Sequence, residues 1–180
     1  MGPVETLGYY LIVFTAGHDT TRNAISGGLL ALLENPDQLA RLRADPGLTP
    51  SAVEEIVRWT TPVNYMKRTV VDDVELRGQK IRAGEELMLC YASANRDEEV
   101  FDDPFAFRVD RRPNPHLAFG FGEHFCMGAQ LARVEIEIIF RHLLERLESF
   151  EVSGPVERLS SIVNGSIKHL PVRYRFAKSR

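Results

Sequence analysis

Three groups of residues in this chain have types and spacings that could do chemistry. The first is Phe119-Gly120-Phe121-Gly122-Glu123-His124-Phe125-Cys126-Met127-Gly128, a glycine-rich loop with one cysteine that runs into a long helix. An anionic sulfur is both a nucleophile and an electron-rich metal ligand. Glycines let the backbone turn sharply and lie close to a flat ligand. Cys126 stands at the entrance of a helix predicted over Gly128–Leu147, whose positive end favours the anionic sulfur. Backbone N–H groups of such a loop can point at the sulfur and tune what it binds. Two plainer readings compete. A lone cysteine is often a small buried hydrophobe. A phosphate-binding loop fails on spacing, because Gly120, Gly122 and Gly128 do not make Gly-x-Gly-x-x-Gly and no Lys-Ser/Thr follows.

The second group is Gly17-His18-Asp19-Thr20-Thr21-Arg22-Asn23, in the middle of an otherwise apolar helical stretch. Polar groups in a buried helix are costly unless they are satisfied or used. Their plainer reading is a helix kink with hydroxyls bonded back to the preceding turn. His18 is expected to be packed or turned to the surface. The third group is Glu55-Ile56-Val57-Arg58, which puts a carboxylate and a guanidinium on one helix face. Pairs at this spacing are common and usually solvated.

Taken together, these motifs resemble the cytochrome P-450 family. The loop matches its haem-thiolate signature, Phe-Gly-x-Gly-x-His-x-Cys-x-Gly, at each fixed position. Ala16-Gly17-His18-Asp19-Thr20-Thr21 matches Ala-Gly-x-Asp/Glu-Thr-Thr, Glu55 to Arg58 matches Glu-x-x-Arg, and Phe107 to Arg111 matches Phe-x-x-x-Arg. The likeness runs from Leu7 to about Arg175.

The resemblance implies a mainly α (α+β) fold, the C-terminal half of the cytochrome P-450 architecture, as one unit over residues 1–180. It implies haem b (iron protoporphyrin IX) with Cys126 as the iron ligand and Phe119, Gly120 and Gly128 shaping the loop. A thiolate ligand pushes electron density onto haem iron and favours O–O cleavage. Arg68 and His124 would hold the propionates, which want guanidinium forks and N–H donors. The plainer reading of Arg68 is an exposed strand residue. Asp19 and Thr20 would deliver protons to dioxygen in a dry pocket. Gly17 would leave a local opening in the helix. Ala16, Gly17, Pro62, Val63, Asn64 and Ile167 would line the substrate pocket. Glu55, Arg58 and Arg111 would form a buried charge set supporting the cysteine loop.

The implied reaction is dioxygen-dependent hydroxylation of a lipophilic small molecule, with electrons from a ferredoxin-type donor. Asn95-Arg96-Asp97, Arg112-Pro113-Asn114-Pro115-His116 and Ile167-Lys168-His169-Leu170-Pro171-Val172 look like the bacterial soluble branch. Asn64-Tyr65-Met66-Lys67-Arg68-Thr69 is similar to hydroxylases of steroids, methyl-branched lipids and terpenes. A complete member of the family is more than twice as long as this chain, which would start at the distal helix. The alternative is therefore a non-catalytic, apo or weakly haem-binding fragment that self-associates as a homo-oligomer.

The elements that must position these residues follow from pattern. At 180 residues, 44% apolar and without low-complexity tracts, the chain reads as one packed domain. A net charge of -3 gives no sign of nucleic-acid binding. The two cysteines, Cys90 and Cys126, are far apart in sequence, which suggests a reducing, cytoplasmic setting without a disulfide framework. The apolar run Leu7–Ala16 is about half of what spans a bilayer, and no signal peptide is visible.

A first helix is expected from Pro3 to Leu33, apolar on every face at Leu7–Phe14 and hence buried all round. Asn35-Pro36 should cap a second helix through Ala44, and Thr49-Pro50 a third through Trp59. Strands are expected at Arg68–Val71, Val74–Leu76 and Glu86–Tyr91, with Cys90 in a buried stretch. A meander from Asn95 to Asn114 should hold one short helix near Asp97–Phe101. The fourth helix should bury Ala132, Ile136, Ile139, Phe140, Leu143, Leu144 and Leu147. Asn164-Gly165 signals a tight hairpin turn.

Overall fold

A computed structural model describes residues 1–177. Five α-helices pack beside small sheets: α1 (Pro3–Glu34), α2 (Pro36–Ala44), α3 (Thr49–Thr60), α4 (Tyr91–Ala94) and α5 (Ala129–Arg146). The strands are β1 (Tyr65–Thr69), β2 (Val74–Leu76), β3 (Gln79–Ile81), β4 (Glu86–Cys90), β5 (Leu147–Val152), β6 (Glu157–Arg158), β7 (Ile167–His169) and β8 (Val172–Phe176). They form four antiparallel pairs, β1–β4, β2–β3, β5–β8 and β6–β7. The mixed, mainly helical class agrees with the sequence pattern.

The core lies where α1, α3 and α5 meet. Leu32, Val53, Ile56, Val57, Phe107, Val109, Ile136 and Phe140 are buried there. Two glycines on α1 set the approach of the helices. A Cβ on Gly28 would stand 2.6 Å from Cγ2 of Ile56 and 3.1 Å from Cζ of Phe140. A Cβ on Gly27 would stand 2.6 Å from Cγ2 of Thr60. Helix α1 therefore carries glycine despite its cost in a helix interior, because only a bare Cα lets α3 and α5 come this close.

Only the second half of α1 enters this core. Its first half is bare, with Leu7 and Phe14 each 70% exposed. An all-round apolar helix buries only the faces that other elements cover, and nothing in residues 1–177 covers this one. The face of the β1–β4 pair that carries Met88 and Cys90 is bare in the same way, so Cys90 is exposed and not buried. On α5 the buried stripe is Ala129, Ile136 and Phe140, whereas Ile139 points outward.

Several boundaries differ from the expected ones for local reasons. The Asn35 side chain donates to the Ala31 carbonyl and so closes α1, leaving no side-chain cap on α2. Asp45 accepts from Gly47 N–H and caps a 3-10 turn before α3, while Thr49 lies inside α3 and donates to the Pro46 carbonyl. Strand β1 begins at Tyr65, earlier than Arg68, because its partners run from Glu86 to Cys90. Residues 97–101 make a hydrogen-bonded turn, and the extra helix is α4, which takes Tyr91 from the end of the predicted strand.

Strands β2 and β3 form a hairpin across Arg77-Gly78, both with positive φ. The turn expected at Asn164-Gly165 is not formed: β6 and β7 are joined by residues 159–166. Asn164 instead bridges to Val63, and Ser166 accepts a hydrogen bond from Asn23 of α1 at 2.7 Å. Tertiary partners took that segment away from the local turn.

Gly28→Ala is expected to destabilise the chain by about 1–3 kcal/mol, since overpacked cores must shift side chains or backbone. Urea unfolding measures it, and an unchanged midpoint would mean that the helix crossing is looser than described.

Candidate functional site

The cysteine loop is built from the bottom of the meander upward. Gly120 and Gly122 have φ of 73° and 70°, the left-handed region that side chains rarely adopt. These two turns bring residue 126 back against residue 119, and Cys126 N–H donates to the Phe119 carbonyl at 2.8 Å. A short 3-10 turn, Gly122–His124, lies between them. The Cys126 carbonyl accepts from Ala129 N–H as α5 begins, so the sulfur sits three residues before the first residue of that helix. Cys126, His124 and Gly128 are exposed. Phe121, Phe125 and Met127 present apolar surface around them.

Beneath the loop lies the charge set that the Glu-x-x-Arg motif suggested. Glu55 and Arg58 are fully buried and Arg111 nearly so. Arg58 Nε and Nη2 donate to the two Glu55 oxygens at 2.7 and 2.8 Å. Arg111 Nε adds donations at 3.1 and 3.2 Å. Arg108 N–H and Asn114 Nδ2 complete the set. The guanidinium groups in turn donate to the carbonyls of Asn95, Asp102, Asp103, Pro104 and Ala106. Arg96, next to this cluster, donates to the Trp59 carbonyl. Burial and the nearby Arg58 push its pKa down.

Other site candidates fall in two open clefts. One, of about 390 Å³, is lined by Arg68, Met88, Leu89, Cys90, Tyr91, Ala94, Leu117, Gly120 and Phe121. It brings Arg68 to the edge of the cysteine loop. Arg68 is half-buried and donates to the Lys67 carbonyl. The other, of about 440 Å³, has Asp19, Asn164 and Ile167 in its wall. Pro62 is buried, and Val63 and Asn64 are half-buried beside it. Neither wall includes Cys126, His124, Thr20, Ala16 or Gly17.

On α1 the expected opening at Gly17 is absent: the helix runs unbroken across residues 16–20. Thr20 Oγ1 donates to the Ala16 carbonyl at 2.6 Å, the back-bonded arrangement. Asp19 pairs with Arg22 at 2.9 Å, and His18 stacks on Phe14. Among the described residues the half-buried hydroxyl takes the acceptor in its own helix.

The structure adds site residues that the motifs did not reveal. Asn95 is fully buried; its Nδ2 donates to Thr61 Oγ1 at 2.9 Å and its Oδ1 accepts from Leu117 N–H at 2.7 Å. Glu54 receives Arg133 Nε and Nη2 at 2.6 and 2.9 Å and His116 Nε2 at 3.1 Å. Because Ala118 N–H donates to His116 Nδ1 at 3.3 Å, Nδ1 is the acceptor and the proton of the neutral ring is on Nε2. Burial pushes the Glu54 carboxyl up, but the hydrogen bonds from His116 and Arg133 and the Arg133 charge outweigh it and hold the group at about 2. Asn95 and His116 lay in segments noted for family likeness without a role, and Glu54 was marked only by the tandem Glu54-Glu55.

The cytochrome P-450 family description matches residues 47–170. The chain is 48% identical over 166 residues to cytochrome P-450-terp from a Pseudomonas species, covering 92% of this chain and 39% of that protein. It is 49% identical over 173 residues to a methyl-branched lipid omega-hydroxylase of Mycobacterium bovis, covering 94% of this chain and 40% of that protein. Among solved structures, CYP108D1 from Novosphingobium aromaticivorans superposes with a TM-score of 0.93 at 47% identity, covering 98% of this chain and 43% of that one. The chain thus spans about two fifths of the length of the curated relatives it matches.

The depressed Glu54 value gives a pH dependence. A carboxyl lowered from 4.5 to about 2 on folding contributes stability that is fully present above about pH 4.5 and is lost as pH falls toward 2. The melting temperature of the chain should therefore exceed that of Glu54→Gln at pH 7, and the gap should close on acidification through that window. A gap that stays constant to pH 3 would contradict it.

Proposed function

The chain belongs to the cytochrome P-450 family, and from that premise we propose that it is the haem-thiolate core of a monooxygenase that hydroxylates a lipophilic small molecule. The single observation that carries this reading is an exposed cysteine sulfur on a loop folded back on itself by two positive-φ glycines. A flat, apolar, dianionic group fits what surrounds that sulfur. Phe121, Phe125 and Met127 offer bare apolar surface, and a Cβ at Gly122 would meet only open space. Arg68 stands at the rim of the adjoining cleft. Cys126 would ligate the iron, Arg68 and His124 would take the propionates, and Phe119, Gly120 and Gly128 would shape the loop. When bound, the haem would supply the electron-rich iron that activates dioxygen, fed by a ferredoxin-type donor.

The chain's own residues would do the rest. Asp19 and Thr20 would hold and pass protons once the Thr20 hydroxyl leaves the Ala16 carbonyl, which needs only a χ1 rotation. Ala16, Gly17, Pro62, Val63, Asn64 and Ile167 would form part of the substrate wall. Relatives named as a methyl-branched lipid omega-hydroxylase and a steroid C26-monooxygenase support an apolar substrate. The bare first half of α1 favours a second reading, in which the isolated chain self-associates through Leu7, Leu11 and Phe14 and takes up little haem.

One preparation separates the two. The purified chain is mixed with haem, reduced and exposed to carbon monoxide, with light scattering on the same sample. A strongly red-shifted Soret band is expected, abolished in Cys126→Ala and retained in Cys90→Ala. A band that survives Cys126→Ala removes Cys126 as ligand. An oligomer without the band favours the second reading.

A further inference from the structure

The pair of carboxylates on α3 points two ways. Glu55 faces the meander, as described above. Glu54 faces Arg133 of α5 and His116, and both of those partners touch one ring. The Arg133 guanidinium lies 4.6 Å above the Phe119 centroid. The His116 ring is 5.7 Å from it, centroid to centroid. Phe125 closes a third side at 6.3 Å. The carbonyl of this same Phe119 accepts the Cys126 N–H. The His116 side chain is 3% exposed, and Arg133 and Glu54 are about three-quarters buried. A bidentate guanidinium–carboxylate pair has fixed geometry, and a neutral imidazole with both nitrogens engaged has a fixed ring plane.

We propose that Glu54, His116 and Arg133 are positioning residues for the cysteine loop: the α3 carboxylate locks a guanidinium and an imidazole that clamp the Phe119 ring, and this fixes the carbonyl that holds Cys126. The clamp ties the sulfur's backbone to two helices that meet in the core. The consequence for catalysis rests on the reading of Cys126 as the functional sulfur, but the geometry does not. The carbonyl spectrum tests that reading, and the experiment below needs no haem.

Amide hydrogen exchange of the full chain, read residue by residue by NMR, tests the clamp. In Arg133→Ala the Cys126 amide should exchange at least about threefold faster, while the amides of Leu32 and Ile56 keep their rates. Arg133→Lys retains the charge without the planar fork and should give only partial protection. Glu54→Gln keeps the side-chain shape and should move the same amide even if Arg133→Ala folds poorly. Phe119→Leu should produce the same acceleration, and combining it with Arg133→Ala should add nothing, because the two act through one contact. An unchanged Cys126 rate in both Arg133→Ala and Glu54→Gln overturns the proposal. So does strict additivity with Phe119→Leu, or a uniform acceleration of all three amides, which would be loss of stability alone.

Discussion

The Glu55 carboxylate lies between two guanidinium groups with no access to solvent, and the irregular chain from Asn95 to Asn114 hangs on that contact. An ionised carboxylate out of water costs several kcal/mol unless its lone pairs are filled. Here they are filled by Arg58, Arg111, Arg108 N–H and Asn114. The excess positive charge is then met by backbone carbonyls of the meander. A loop without helix or sheet must find partners for its carbonyls, and these two arginines supply them. The buried ions and the unstructured segment each solve the other's problem.

That contact reaches the sulfur in short steps. Arg58 holds the Asn95 carbonyl, while the Asn95 side chain bridges Thr61 at the end of α3 and Leu117 before the cysteine loop. Thr61 can serve there because it takes a left-handed conformation, φ 38°, that ends the helix and turns its hydroxyl inward. Phe119 follows two residues after Leu117, and its carbonyl holds Cys126. Helix α3 thus sends one carboxylate to the meander and its neighbour to α5. The loop that presents the cysteine is held from below on both sides while its upper face stays open.

Much of this was legible in the sequence, and the failures share a cause. Whereas Arg111, 56 residues from Glu55, came only from the family resemblance, Glu55 and Arg58 were readable as a pair spaced on one helix, and the glycines around Cys126 by their local chemistry. So were α1, α2, α3 and α5, whose apolar periods and prolines mark them. The roles of Asn95, Glu54, His116 and Arg133 were not, since each acts through partners tens of residues away; Asn95 and His116 stood in segments noted only for their resemblance to the bacterial branch. The hairpin expected across Asn164-Gly165 formed between β6 and β7, but its tight turn did not, because Val63 and Asn23 compete for that segment. The burial of Cys90 and of the first half of α1 was misjudged for another reason. Periodicity reports that a face is apolar, not that something covers it. Thr20 is bonded to its own helix. The roles of Asp19, Thr20, Arg68 and His124 are therefore those least determined by contacts within this chain.

The dependence of the cysteine loop on the Glu55 contact is open to direct measurement by amide exchange and mass spectrometry of Glu55→Gln at neutral pH. Removing one negative charge leaves two buried guanidinium groups with an excess of charge, a change of about 3–5 kcal/mol when a buried pair is broken. The expected result is a joint loss of protection in peptides covering residues 95–128, with the buried part of α1 around Leu30–Leu32 still protected. Retained protection across residues 95–128 in that variant would contradict the claim that Glu55 holds the meander and, through it, the cysteine loop.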